Sequence, residues 1–292
     1  MRSASRFVGI LGWPLEHTLS PVIHNVAFRT LSLDWTYLAF PVPPERLGEA
    51  IGGLRALGGE GANVTMPHKQ TVIPLLDDLS GDARVVGAVN TIQRIGDRLF
   101  GHNTDVDGFR EFVAEESGVS VEGKTCVVLG AGGAARAIVR ALDQLGVAGI
   151  TVVGRRPEVA AEVTTAAGPG LARGAPWSEA VDRAGEADVI VNCTPAGMTG
   201  EDVLPGASFG PGQLVLDLIY QPPTTPLLDH ARAAGAVAWG GLGMLVLQAA
   251  ASFGIWTGLE PPVDVMSAAA VRAIGSTGGA HVPKELEQGM ES

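Results

Sequence analysis

Residues 124–146, KTCVVLGAGGAARAIVRALDQLG, constrain the chain more than any other stretch. Cys126, Val127, Val128 and Leu129 form a short apolar run of strand type. The run ends in glycines and gives way to apolar residues at helical spacing: Ala134, Ala137, Ile138, Ala141, Leu142 and Leu145. A strand, a glycine turn and a helix in that order aim backbone N–H groups and the positive end of a helix at a phosphate. Gly130 permits the tight turn, Gly132 lets a pyrophosphate approach, and Ala135, in place of a third glycine, still allows close helix packing. The pattern G-x-G-x-x-A in this setting predicts dinucleotide binding rather than a merely tight turn.

A length of 292 residues suggests two domains and ample buried core. The 40 glycines and 19 prolines show no repeat, so they read as punctuation between many short elements, which suits α/β architecture. A net charge of −11 with no basic stripe argues against nucleic acid or an anionic membrane as the main partner. An anionic ligand must then be held by a few placed cations. Cys126 and Cys193 fall in separate apolar runs without CxxC spacing, as expected of buried thiols in a reducing cytoplasm. The apolar run 7–11 is too short for a signal peptide. Glycines, Gln248 and a break at 240–243 interrupt the longer run 236–256, which therefore reads as a strand and a core helix of a soluble protein. The six histidines include no His-x-x-x-His pair, so no metal site is expected.

In the first hundred residues, strands are predicted over 7–11, 35–42 and 62–65, helices over 20–33 and 45–57, and a hairpin of 88–94 with 99–102. Ser20 reads as an N-cap with Pro21 at N1 and with Val22, Ile23, Val26 and Ala27 facing inward. Another helix is predicted to begin at Pro67. After the glycine turn come strands 150–153, 189–193, 214–218 and 236–239 and helices 157–167, 225–234 and 242–253. These strands are continuously apolar, as in a parallel sheet covered on both faces. The tail from Gly275 is expected to fray.

Lys69 lies three residues into the helix predicted at Pro67, where a cation opposes the helix dipole. It is either an ordinary exposed lysine or one kept for a reason. Asn63, Thr65, Asn90, Asn103, Thr104 and Asp105 surround it in sequence, and polar side chains interrupting apolar strands need partners. Taken singly, each has a plain structural reading: Ser20 as a cap, Asp105 as the cap of a helix to Ser117, Thr65 as a turn hydroxyl.

Eight motifs stand in order: TLSP at 18–21, NVTMPHK at 63–69, GAVNT at 87–91, GHNTDVDG at 101–108, GAGGAAR at 130–136, NCTPAGM at 192–198, DLIYQPPTTPLL at 217–228 and GLGMLVLQAAASFGIWTG at 241–258. Together they resemble the shikimate dehydrogenase family over residues 7–260. That resemblance implies NADPH-dependent, reversible reduction of 3-dehydroshikimate to shikimate. It also implies an α/β fold of two α/β domains: a substrate domain of 1–105 plus 242–292, and a Rossmann-type domain of 106–241 with a parallel sheet. By the same resemblance Lys69 and Asp105 are the catalytic pair, an amine beside a carboxylate that can move a proton to or from the reacting oxygen. A helix end would disfavour the ammonium and Asp105 would favour it, so the balance stays open. Thr18 and Ser20 are assigned to the substrate carboxylate, Asn63, Thr65, Asn90 and Gln248 to ring hydroxyls, and Tyr220 to the same site. Gly130, Ala131, Gly132, Gly133, Ala134, Thr194 and Gly241 are assigned to the cofactor.

Cofactor choice can be read separately. An NAD enzyme commonly has an acid at the end of the second strand, whereas this chain has Gly154-Arg155-Arg156, and two arginines favour a 2′-phosphate and hence NADP. The family usually has Asn-Arg-Thr there and Ser-x-Ser where this chain has Thr18-Leu19-Ser20. The added methyl leaves open a quinate or aminoshikimate relative with broader substrate or NAD use. A non-catalytic metabolite sensor is the alternative of another class. Retention of both Lys69 and Asp105 speaks against it. The assembly is expected to be a monomer or a homodimer.

Overall fold

A computed structural model describes residues 6–15 and 18–277. The first half contains β1 (Arg6–Gly12), α1 (Ser20–Thr30), β2 (Trp35–Pro41), α2 (Leu47–Ala56), β3 (Gly61–Val64), β4 (Asp78–Leu79), α3 (Gly81–Val86), β5 (Thr91–Ile95) and β6 (Arg98–His102). Its six strands are ordered β2-β1-β3-β5-β6-β4. β1 pairs in parallel with β2 and β3, while β5 runs antiparallel to both neighbours. The hairpin expected of 88–94 with 99–102 is β5–β6, which turns at Gly96, with φ 62°, and Asp97.

α4 (Thr104–Glu111) leads into the second sheet. There follow β7 (Thr125–Leu129), α5 (Gly133–Gln144), β8 (Gly149–Gly154), α6 (Pro157–Val163), β9 (Ala172–Pro176), α7 (Ala180–Glu186), β10 (Val189–Asn192), β11 (Leu214–Asp217), α8 (Pro226–Ala233) and β12 (Val237–Trp239). All six strands are parallel in the order β12-β11-β10-β7-β8-β9. This is the doubly wound arrangement in which ligands bind outside the carboxyl ends of the strands. β7 is an inner strand of this sheet, as its apolar residues require, and helix α5 buries Ala135, Ala137, Ile138, Ala141 and Leu142 against it.

The chain then returns to the first sheet through α9 (Leu242–Thr257) and α10 (Val263–Thr277). α9 is buried on several faces, because it packs on α1, α4 and α10 at once. Gly108 on α4 makes one of these contacts possible: a Cβ there would stand 2.6 Å from the Gln248 backbone nitrogen. The run 236–256 is thus β12 plus α9, and among the described residues no helix is long and apolar enough to cross a membrane.

Several expectations need correction. No helix starts at Pro67; residues 66–72 form successive turns, followed by a 3₁₀ turn at Ile73–Leu75. The cause is tertiary, since buried His68 is anchored by its Nε2 to the Val42 carbonyl at 2.7 Å. Leu19, not Ser20, is the N-cap of α1, because the Leu19 carbonyl accepts from the Val22 and Ile23 N–H groups. Val22 is exposed, and His24 and Phe28 take the inward face with Ile23 and Ala27. Asn103, not Asp105, is the N-cap of α4. The residues expected to fray begin inside α10, which includes Gly275; residues 278–292 lie outside the described residues, as do 1–5 and 16–17. β4, β9, α3, α7 and α10 were not anticipated.

His24 has no hydrogen-bond partner on either ring nitrogen among the described residues. It stacks on Tyr37, with 4.4 Å between ring centroids, and burial lowers its pKa to about 3. The unfolded chain takes up a proton here near pH 6.5 and the folded chain does not. Stability from this site is therefore complete above pH 6.5 and falls as the pH drops towards 3. By pH 5 the loss should reach about 2 kcal/mol relative to neutral pH. A His24→Phe variant should lose correspondingly less in denaturant titrations at the two pH values; parallel losses would contradict this reading.

Candidate active site

Two sheet edges and one returning helix converge on Lys69. Its Nζ donates to Asp105 Oδ2 at 2.6 Å, with side-chain exposures of 18% and 9%. Lys69 stands on the turn after β3, and its carbonyl accepts from the Val89 N–H at 2.7 Å. Asp105 sits in the first turn of α4. A carboxylate this far from water needs its remaining lone pairs filled, and Asn90 Nδ2 donates to Asp105 Oδ1 at 2.9 Å.

Asn90 is the hub of this layer. Its Nδ2 also reaches Thr104 Oγ1 at 2.9 Å and Gln248 Oε1 at 3.5 Å, while its Oδ1 accepts from the Thr104 N–H at 2.7 Å and the Thr91 hydroxyl at 3.1 Å. Beneath it the hydroxyls of Thr91, Thr104 and Ser252 lie within 2.8–3.2 Å of one another. Gln248 and Ser252, four residues apart on α9, thereby fasten that helix to the first sheet. Asn63 lies in this lower layer. It is 6% exposed; its Nδ2 donates to Asn90 O, Thr91 Oγ1 and Ser252 Oγ, and its Oδ1 accepts from the Tyr37 hydroxyl at 2.7 Å. Thr91, Ser252 and Tyr37 were not singled out from sequence. Ser252 and Tyr37 read there as ordinary members of apolar runs.

Thr18 and Ser20 stand at the start of α1, where Thr18 Oγ1 accepts from the Ser20 N–H at 3.3 Å. The Ser20 side chain offsets part of the upward pKa shift that burial gives the Tyr37 hydroxyl, which links this pair to the Asn63 layer. Thr65 precedes the Met66–Pro67 cis peptide and is half-buried, as is Tyr220, whose hydroxyl pKa is raised by burial.

The glycine turn faces this cluster from the second sheet. Gly130 has φ 104°, a conformation that favours glycine, and a Cβ there would meet Thr194 Cγ2 at 3.0 Å. Ala131 follows it, and Gly132 is the N-cap of α5 with open space where a side chain would stand. Gly133 and Ala134 open the helix, and a Cβ on Gly133 would touch the Lys69 stem at 3.5 Å. Arg155 and Arg156 are exposed at the end of β8, with Arg156 the N-cap of α6. Gly241 is the N-cap of α9, pressed so closely on Leu218 that a Cβ would lie 2.2 Å from its carbonyl oxygen. A cradle with room for a ligand at a helix N-terminus, and one strand away two exposed arginines without an ion-pair partner among the described residues, fit a phosphorylated dinucleotide.

Three family models match consecutive parts of the chain: shikimate dehydrogenase substrate binding domain over residues 10–92, shikimate / quinate 5-dehydrogenase over 112–199, and shikimate 5′-dehydrogenase C-terminal domain over 241–271. A shikimate dehydrogenase (NADP(+)) of Symbiobacterium thermophilum is 46% identical over 283 residues, covering 94% of this chain and 96% of the relative. The chain belongs to the shikimate dehydrogenase family. Its relative from Methanothermobacter thermautotrophicus, also a shikimate dehydrogenase (NADP(+)), is 43% identical and covers 91% of this chain and 96% of its own. Among solved structures, the shikimate 5-dehydrogenase of Thermus thermophilus in complex with NADP(H) and shikimate superposes with a TM-score of 0.83 at 36% identity, over 92% of this chain and 99% of that one. The shikimate dehydrogenase fold is thus shared over nearly the whole described chain.

Proposed function

We propose that this chain is an NADP-dependent oxidoreductase of CH–OH groups that reversibly reduces 3-dehydroshikimate to shikimate in aromatic amino acid biosynthesis. The observation that carries the reading is the Lys69–Asp105 contact at 2.6 Å, with the Lys69 stem packed toward Gly133 of the glycine cradle. Proton chemistry and dinucleotide binding therefore meet at one side chain.

NADPH held at the cradle would supply the hydride. Lys69 gives a proton to the oxygen that becomes the alcohol, and takes it back in the reverse direction. Asp105 holds the ammonium in position and balances its charge, while Asn90 fixes the Asp105 carboxylate. Thr18 and Ser20 offer hydroxyls to the ring carboxylate. Thr65, Asn90 and Gln248 face the ring hydroxyls, with Tyr220 completing the site. Asn63, whose amide already has four internal partners, acts from beneath by holding Asn90 and Ser252. A site with this many buried polar groups penalises substrates that lack matching hydroxyls. Arg155 and Arg156 would hold the 2′-phosphate, Gly130, Ala131, Gly132, Gly133 and Ala134 would take the pyrophosphate, and Thr194 and Gly241 would also bind the cofactor.

The sheet topology supports a division into a substrate domain of 1–105 with 242–292 and a cofactor domain of 106–241, joined at α4 and α9. Both cysteines are free, and burial pushes the Cys126 thiol up to about 12, which favours a reducing cytoplasm. Acidity of −11 overall disfavours nucleic acid and anionic membrane as partners. A monomer or homodimer is the assembly we assign.

Assayed with shikimate, quinate and an amino analogue, each with NADP and with NAD, the protein should turn over shikimate with NADP fastest. Preference for quinate or NAD would favour a broader paralogue, and silence throughout would favour a sensor. Replacing Arg155 and Arg156 together by Ala should raise KM for NADP by about ten- to a hundredfold and leave NAD nearly unaffected. An unchanged NADP/NAD ratio would assign cofactor choice to other residues.

A further inference from the structure

The ends of β10 and β11 carry a buried polar contact that none of the assigned roles uses. Asn192 and Asp217 face one another in the strand register, and they and Thr225 are 0%, 1% and 1% exposed. Among the described residues no cation pairs with Asp217. Its partners are neutral: Asn192 Nδ2 and the Ile219 N–H donate to Oδ1 at 3.0 and 3.1 Å, and the Thr225 hydroxyl donates to Oδ2 at 2.7 Å. Burial pushes this carboxyl above the usual range and the three hydrogen bonds pull it back. An acceptor-only group is the natural solution where three donors converge.

The donors come from two segments: Asn192 ends β10, and Ile219 and Thr225 lie in the loop 218–225. Asn192 passes the contact on: its Nδ2 also donates to the Ala196 carbonyl at 3.1 Å, and its Oδ1 accepts from the Thr194 N–H at 3.0 Å and the Thr194 hydroxyl at 2.7 Å. Thr194 Oγ1 in turn accepts from the Ala196 N–H at 3.2 Å. Ile219 adjoins Tyr220, and its carbonyl accepts from the Gly241 N–H at 3.0 Å at the start of α9. Thr225 is the N-cap of α8, where its hydroxyl accepts from the Leu228 N–H at 3.5 Å.

We infer that Asp217 is a positioning residue: it locks the loop 193–197, which stands over Gly130 of the cofactor cradle, to the loop 218–225, which carries Tyr220, so that cofactor and substrate are presented in one fixed relation. The kinetic consequence rests on the proposed dehydrogenase reaction; the mechanical one does not. A packing role confined to the sheet would stabilise the fold without reaching Thr194 or Ala196, neither of which touches Asp217.

The test compares Asp217→Ala and Asp217→Asn with the wild-type full chain by amide hydrogen exchange without ligands, thermal unfolding, and steady-state kinetics with shikimate and NADP. In Asp217→Ala, exchange at Thr194, Ala196, Ile219 and Leu228 should quicken together by about tenfold or more relative to amides of β7. Turnover should fall by about ten- to a hundredfold, with KM for NADP changed less than about threefold, because Arg155 and Arg156 are untouched. Asp217→Asn keeps Oδ1 and the volume and should fall between the two; it carries the same test if the alanine variant does not fold. A lowered melting temperature with unchanged kcat and unchanged exchange at Thr194 and Ala196 would overturn the inference. A wild-type protein inactive on shikimate with NADP would instead overturn the proposed reaction and leave the exchange result to decide the coupling.

Discussion

The contact between the Lys69 ammonium and the Asp105 carboxylate sets the terms for much of what surrounds it. Drawing both charges this far out of water costs more than their attraction alone returns unless the remaining donors and acceptors are satisfied. Asn90 meets that demand for Asp105, and satisfying Asn90 recruits Thr104, Thr91 and Gln248. Satisfying those recruits Ser252 and Asn63, and Asn63 recruits Tyr37. The chain of partners runs from a turn after β3 through a hairpin and α4 to a helix 140 residues or more further along. Such a network is favourable only when complete, which explains why the first sheet and α9 are built as one piece although the second sheet separates them in sequence.

The second sheet brings a different kind of order to the same place. Its parallel strands end together, and the cradle, Arg155 with Arg156, Thr194 and the Asn192–Asp217 contact all lie on that edge. Beside that contact, positioning here also uses backbone shape and what is left out: open space at Gly132, a left-handed turn at Gly130, and close approach at Gly241. The first sheet holds its chemistry with side-chain hydrogen bonds alone, whereas the second adds glycine geometry and helix ends to the side-chain contacts of Asn192 and Asp217. Gly133 beside Lys69 is where the two methods touch.

Much of this was legible in the sequence because its signals are local. An apolar run ending in glycines and followed by a 3.6-residue period can do little except form β7, the turn and α5, and the continuous apolar strands announced a parallel sheet. What escaped is non-local. Lys69 was read onto a helix because Pro67 resembles an N1 proline; the buried His68–Val42 hydrogen bond that holds the turn has no local signature. Ser252 and Tyr37 sit among apolar residues and acquire meaning only from partners up to 189 positions away. β9 is a short edge strand with few apolar residues, and α7 and α3 are under two or nearly two turns long, too short for periodicity to reveal. The eight motifs contain most residues of the hydrogen-bonded network, whereas how those residues bond to one another, such as Asn63 reaching Tyr37 and Ser252, is visible only in the folded chain.

The proposed proton transfer requires Lys69 and Asp105 to act as a unit rather than as two independent contributors. A double-mutant cycle on kcat for shikimate oxidation, with Lys69→Ala, Asp105→Asn and the two combined, measures this directly. If the pair is one proton-transfer device, each single variant should fall by at least roughly 10²-fold and the double variant should be little worse than the poorer single. Losses that multiply, or a single variant with near-normal turnover, would contradict it.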